Sequence, residues 1–213
     1  MMRQAAVLLH GMGRSWISMA LLGHRLERRG YEVHLFGYRP RRLTLDALTA
    51  ELRDFVKRRV EAEVYHFIGH SLGNIIVRNG LREGFRPGLS RIVMLAPPNR
   101  PARLASRLRE NSFYRWWTGD SGQKLSDDEF YRRLPVPAVE FGVIAGDLGH
   151  HIGFDEPNDG VVSVECTKLE GMKDFALLHH THTLIMMAAD TAELCRRFLE
   201  GGTFSDLDGS GPA

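Results

Sequence analysis

Six apolar runs of strand length, each divided from the next by a stretch with helical spacing or a long polar connection, limit what this 213-residue chain can fold into. They are AAVLLH from Ala5, YEVHLFGY from Tyr31, VYHFIG from Val64, RIVMLA from Arg91, AVEFGVIAG from Ala138 and DFALLH from Asp174. Parallel strands need a long crossover between them, and a helix is the usual one. The alternation therefore predicts an α/β chain with a mainly parallel central sheet and helices on both faces. One crossover is explicit. Leu45, Leu48, Leu52, Phe55 and Val56 recur at the spacing of one helical face, and Asp46 stands near that helix's start, where its charge suits the dipole. Further helices are predicted over about 15–29, 72–82 and 183–199.

The chain is 43% hydrophobic and 25% charged, the balance of one soluble globular domain, expected over residues 1–200. Residues 201–213, rich in glycine and small polar side chains, are expected to form a flexible tail. Lys and Arg total 28 against 26 acids, a formal charge of +2, so nucleic acid is not expected as a partner. The first apolar run is too short for a secretory signal and leads into a glycine turn, which predicts a cytoplasmic protein. No apolar stretch reaches the length of a transmembrane segment. Cys166 and Cys195 are expected to be single buried thiols.

The stretch HFIGHSLGN, residues 66–74, carries the first chemistry. Gly69, His70, Ser71, Leu72 and Gly73 form a G-x-S-x-G pentapeptide between an expected strand and an expected helix, the context of a nucleophile elbow. Such a turn lifts the serine clear of the sheet, and its glycines let backbone segments approach where a β-carbon would collide. A second glycine turn, LLHGMGRS at residues 8–15, follows the first strand, where the loop completing an oxyanion hole belongs. The backbone N–H groups of Met12 and Leu72 are the expected donors to an oxyanion. A phosphate-cradling loop is the rival reading, but HGMGRS lacks the required glycine spacing.

A serine nucleophile needs a base and an orienting acid, which in this kind of fold follow in the order Ser, Asp or Glu, His. Asp147, after the VIAG strand, and Asp159, in PNDGVVS, compete for the acid. His179, His180 and His182 in LLHHTHTLIM compete for the base, and His182 is favoured because it stands between the last strand and the final helix. Neither C-x-x-C nor H-E-x-x-H occurs, so no metal site is expected.

Taken together, LLHGMGRS, GHSLGN, NDGVVSVECTKLEGM and THTLIM resemble the small bacterial serine lipases and esterases of the α/β-hydrolase superfamily, the minimal type, over about residues 5–199. The resemblance implies the minimal α/β-hydrolase fold, with Ser71 as nucleophile, Asp159 as acid, His182 as base, and Met12 and Leu72 as oxyanion donors. It implies a small-molecule ester or lipid substrate and no cofactor. A thioesterase or acyltransferase would use the same triad, and a noncatalytic ligand-binding protein on this scaffold is the alternative from another class. Asn74 departs from the pattern, since many relatives have a glycine there.

Residues 99–135 are long for one connection and contain FYRWWTGDSG. Two readings stay open. Phe113, Tyr114, Trp116 and Trp117 either line or cover an acyl pocket, as a lid or pocket insertion, or they pack a small helical excursion. Arg100, Arg103, Arg107 and Arg109 would favour an anionic group or simply be solvated. The other basic run, YRPRRL from Tyr38, reads as a solvated loop.

Overall fold

The structure is a computed structural model, and it describes residues 4–40, 42–100, 128–149 and 156–205. Six strands form one sheet: β1 (Gln4–Leu9), β2 (Glu32–Phe36), β3 (Val64–His70), β4 (Leu89–Leu95), β5 (Glu140–Gly146) and β6 (Asp174–Leu178). Their order is β2-β1-β3-β4-β5-β6, and every pairing is parallel. The chain steps from β1 outward to β2, then crosses back to lay β3 on the other side of β1. The loops leaving β1 and β3 therefore emerge side by side, with Leu9 in register with Gly69. A reversal of this kind opens a crevice at the carboxyl ends of the strands.

Strand alternation divides the core in two. Val7, Leu9, Phe67 and Met94 face α2 (Leu45–Arg59) and α3 (Leu72–Gly80), while Ala6, Leu8, Ile68 and Val93 face α1 (Ala20–Glu27) and α6 (Ala189–Gly201). Two short helices, α4 (Asp128–Arg133) and α5 (Val164–Thr167), flank β5 in sequence. The expected face of α2 is the one it buries, and Thr44 caps it by accepting from Ala47 N at 3.2 Å. Cys195 lies within the core as expected, while Cys166, also expected to be buried, is only partly so. No helix among the described residues is long and apolar enough to cross a membrane.

Three expectations need correction. The helix predicted over 15–29 is a 3-10 turn at Trp16–Met19 followed by α1. The helix predicted over 183–199 is broken into a 3-10 turn at Ile185–Met187 and α6, with Ala188 extended between them. Arg25 holds that break by donating to the carbonyls of Met187 (2.6 Å) and Ala188 (2.8 Å), a tertiary contact that hydrophobic spacing does not announce. The start of the expected flexible tail is packed: Gly202 ends α6 in the left-handed region, and Thr203 Oγ1 and Phe204 N both donate to Asp174 Oδ2. Phe204 is buried against Phe198. The described fold thus extends through Ser205, and residues 206–213 lie outside the described residues.

Candidate active site

β3 ends at His70, and the chain turns into α3 through Ser71, whose φ of 51° and ψ of −118° are strained for a residue with a β-carbon. Ser71 N donates to Leu95 O at 3.0 Å, fixing the turn to the end of β4. Both flanking glycines are required by space. A β-carbon on Gly69 would run into Asn74 Oδ1, and one on Gly73 would lie 2.8 Å from Leu9 O. Asn74 is buried, and its Nδ2 donates to the carbonyls of Ser71 and Leu95, each at 3.2 Å. This departure from the family pattern leaves α3 regular and adds a tie across the turn.

The loop after β1 lies against this turn. A β-carbon on Gly11 would stand 2.7 Å from His70 Nδ1 and 3.1 Å from Ser71 Cβ, so only glycine allows the approach. The N–H groups of Met12, on the loop after β1, and of Leu72, the first residue of α3, meet no acceptor among the described residues. His10 behind them is fully buried and stacked on Tyr38 with ring centroids 4.0 Å apart. Tyr38 N donates to His10 Nε2 at 3.4 Å, so His10 Nδ1 carries the proton and donates to Gly11 O at 2.8 Å. Burial holds His10 below the usual imidazole range, against the opposing effect of those bonds. Tyr38 closes the arrangement by donating its hydroxyl proton to His10 O.

Asp159 and His182 meet in two ways. His182 Nδ1 donates to Asp159 Oδ2 at 2.7 Å, and His182 N donates to Asp159 O at 2.9 Å. The other carboxylate oxygen accepts from Val161 N (2.9 Å) and Val162 N (2.7 Å), so the NDG turn is folded around its own aspartate. Gly160, with a φ of 98°, supplies the conformation the turn needs. The Asp159 side chain is fully buried, and that of His182 is 10% exposed.

The rival residues are engaged elsewhere. Asp147 accepts from His179 Nδ1 at 2.8 Å, and His180 Nε2 donates to Asp190 at 2.9 Å, both toward the surface. One residue at the site was not anticipated. His70 Nε2 donates to the backbone carbonyl of His182 at 2.9 Å, and the two rings lie 4.8 Å apart. His70 is buried, and desolvation, followed by the nearness of His182, drives it well below the usual imidazole range. Its place inside the pentapeptide was the only signal available, since that position tolerates many side chains. Among the described residues, Ser71 Oγ makes no hydrogen bond to His182.

A cavity of about 670 Å³ opens beside Met12, with His10, Trp16 and Tyr38 in its walls. The run from Tyr38 therefore differs from a simple solvated loop: Tyr38 and Pro40 are buried, while Arg39 and Arg42 are exposed at the cavity. Phe113, Trp116 and Trp117, expected at the substrate, lie outside the described residues.

The model of the alpha/beta hydrolase family matches residues 6–143. No curated protein matches the sequence. Among solved structures, a metagenomic carboxyl esterase, MGS0156, is similar with a TM-score of 0.69 at 17% identity, over 86% of this chain and 65% of its own. A bromoperoxidase from Bacillus anthracis has a TM-score of 0.66 at 16% identity, over 93% of this chain and 92% of its own. Phospholipase PlaB from Legionella pneumophila has a TM-score of 0.63 at 18% identity over 78% of this chain, which spans only 44% of that protein. At such identities the likeness is one of fold.

Proposed function

Since the chain belongs to the alpha/beta hydrolase family, we propose that it is a serine hydrolase cleaving carboxylic esters through an acyl-enzyme, with Ser71, Asp159 and His182 as its triad. The observation that carries this reading is the buried Asp159–His182 pair at 2.7 Å, with His182 tied through His70 to the strained turn of Ser71. With its Nδ1 proton committed to Asp159, neutral His182 has Nε2 free to act as base. It takes the Ser71 proton as the hydroxyl attacks the ester carbonyl. The tetrahedral oxyanion is held by the N–H groups of Met12 and Leu72, helped by the N-terminus of α3. His182 then gives its proton to the leaving alcohol, and water drawn by the same base releases the acid. The contact between Ser71 and His182 forms on substrate binding, as catalytic hydrogen bonds of this kind commonly tighten in the complex.

The test is covalent labelling with a fluorophosphonate, followed by rates on a series of p-nitrophenyl esters. Labelling at Ser71 that disappears in Ser71→Ala, together with ester turnover, is the expected result. A folded protein that neither reacts nor turns over any ester would refute the proposal.

A further inference from the structure

The cavity beside Met12 carries a charge pattern that hydrolysis of a neutral ester does not require. Arg14, Arg39 and Arg42 all line it, and among the described residues no Asp or Glu does. None of the three has an acidic partner among the described residues, whereas other surface arginines are paired with carboxylates, as Arg53 is with Glu83 and Arg58 with Asp54. Arg14 also donates to Thr183 O at 3.5 Å, so it spans from the loop after β1 to the residue following His182. Trp16 is half exposed and lies against Gly37, where a β-carbon would stand 3.0 Å from its Cδ1. The cavity thus offers the rings of Trp16 and Tyr38 and, among the described residues, three cations without an acidic partner next to the loop that bears Met12.

Guanidinium groups bind carboxylates and phosphates through paired, charge-assisted hydrogen bonds. Three of them together suit a group with more than one negative charge. Resting on the serine-hydrolase reading above, we infer that the substrate is an ester that also bears a phosphate group, held in this cavity by Arg14, Arg39 and Arg42 while Ser71 attacks the ester carbonyl. The phosphate belongs either to a soluble ester or to a lipid headgroup, and the chemistry of recognition is the same.

The experiment compares dibutyryl phosphatidic acid with dibutyrylglycerol, both dispersed as monomers, by release of butyrate. The phosphate-bearing ester should have a kcat/KM at least about tenfold higher, the scale of one charge-assisted hydrogen bond. In Arg14→Gln, Arg39→Gln and Arg42→Gln, the ratio between the two esters should fall severalfold each. The three side chains are exposed, so circular dichroism of these variants should match the parent. Presenting long-chain phosphatidic acid or diacylglycerol in phosphatidylcholine vesicles separates the sources: a preference for phosphatidic acid confined to vesicles assigns the headgroup, and one already present with monomers assigns the soluble ester. Equal kcat/KM for both monomeric esters, with no preference between vesicles, overturns the inference and leaves the hydrolase reading standing. Calorimetry of Ser71→Ala with monobutyl phosphate reads the cavity without catalysis. Saturable binding that Arg39→Gln weakens supports phosphate recognition by the cavity separately from the hydrolase reading, and absence of binding counts against the inference.

Discussion

His70 and His182, 112 positions apart in the chain, are joined by a hydrogen bond of 2.9 Å from the ring of the first to the backbone carbonyl of the second. The residue before Ser71 thus carries part of the loop that holds His182. On the proposed triad, His70 acts through the backbone as a positioning residue. His70→Phe removes the donor and should lower kcat about tenfold with little change in KM, because a small misplacement of the base affects the chemical step most. His70→Gln, which keeps an N–H donor, should recover most of that loss. Equal kcat for both folded variants and the parent would remove this role.

The crowding of acids and histidines near the site makes a direct contrast available. Asp159→Asn and His182→Ala should each lose at least about three orders of magnitude in kcat, the scale of triad deletions. Asp147→Asn and His180→Ala break pairs that lie toward the surface and should cost far less. Assay of all four on one soluble short-chain ester gives the comparison. A crippled Asp147→Asn beside a near-normal Asp159→Asn would reassign the acid.

Acid stability should be governed by buried neutral histidines. Desolvation, with the Arg91 charge adding to it, lowers His66 from 6.5 to about 4, and burial also lowers His10 and His70. Each group binds its proton more weakly in the folded chain than in the unfolded one. The unfolded state therefore takes up protons first as the pH falls below about 6.5, and folding stability declines from there. For His66 the decline runs from 6.5 to about 4 and amounts to on the order of 3 kcal/mol. Urea unfolding at a series of pH values checks this, and His66→Gln should flatten the slope. A stability unchanged between pH 7 and 4.5 would contradict it.

Arg78, on α3, is buried and donates to Pro135 O (3.0 Å), Leu134 O (3.1 Å) and Asn99 Oδ1 (3.0 Å). Asn99 in turn donates to Thr167 O at 2.7 Å. Burial pulls the guanidinium down to about 10, which still leaves it charged at neutral pH. Arg78→Met keeps the apolar stem but leaves those acceptors without their donor, and should cost roughly 2–4 kcal/mol. The shift in urea midpoint measures it, and a loss below about 0.5 kcal/mol, the range of ordinary surface substitutions, would show the bonds to be dispensable.

What the sequence determined by itself was local in origin. Residue spacing decides which face an element can bury, so the six strands, the face of α2 and a sheet covered on both faces were legible from hydrophobic pattern. The turn at Ser71 was legible for a similar reason, since its glycines answer a steric demand made within a few residues. Pairing was a different matter. Asp147 and Asp159 both follow the nucleophile and precede three histidines, and chain order alone favours neither. Only the folded chain brings Asp159 to His182, Asp147 to His179 and His180 to Asp190. The break at Ala188, the buried anchor of Arg78 and the bond from His70 to His182 likewise belong to the tertiary structure. Each joins groups from separate elements, and the position of one element on another depends on the packing of the whole sheet, which no short stretch of sequence encodes.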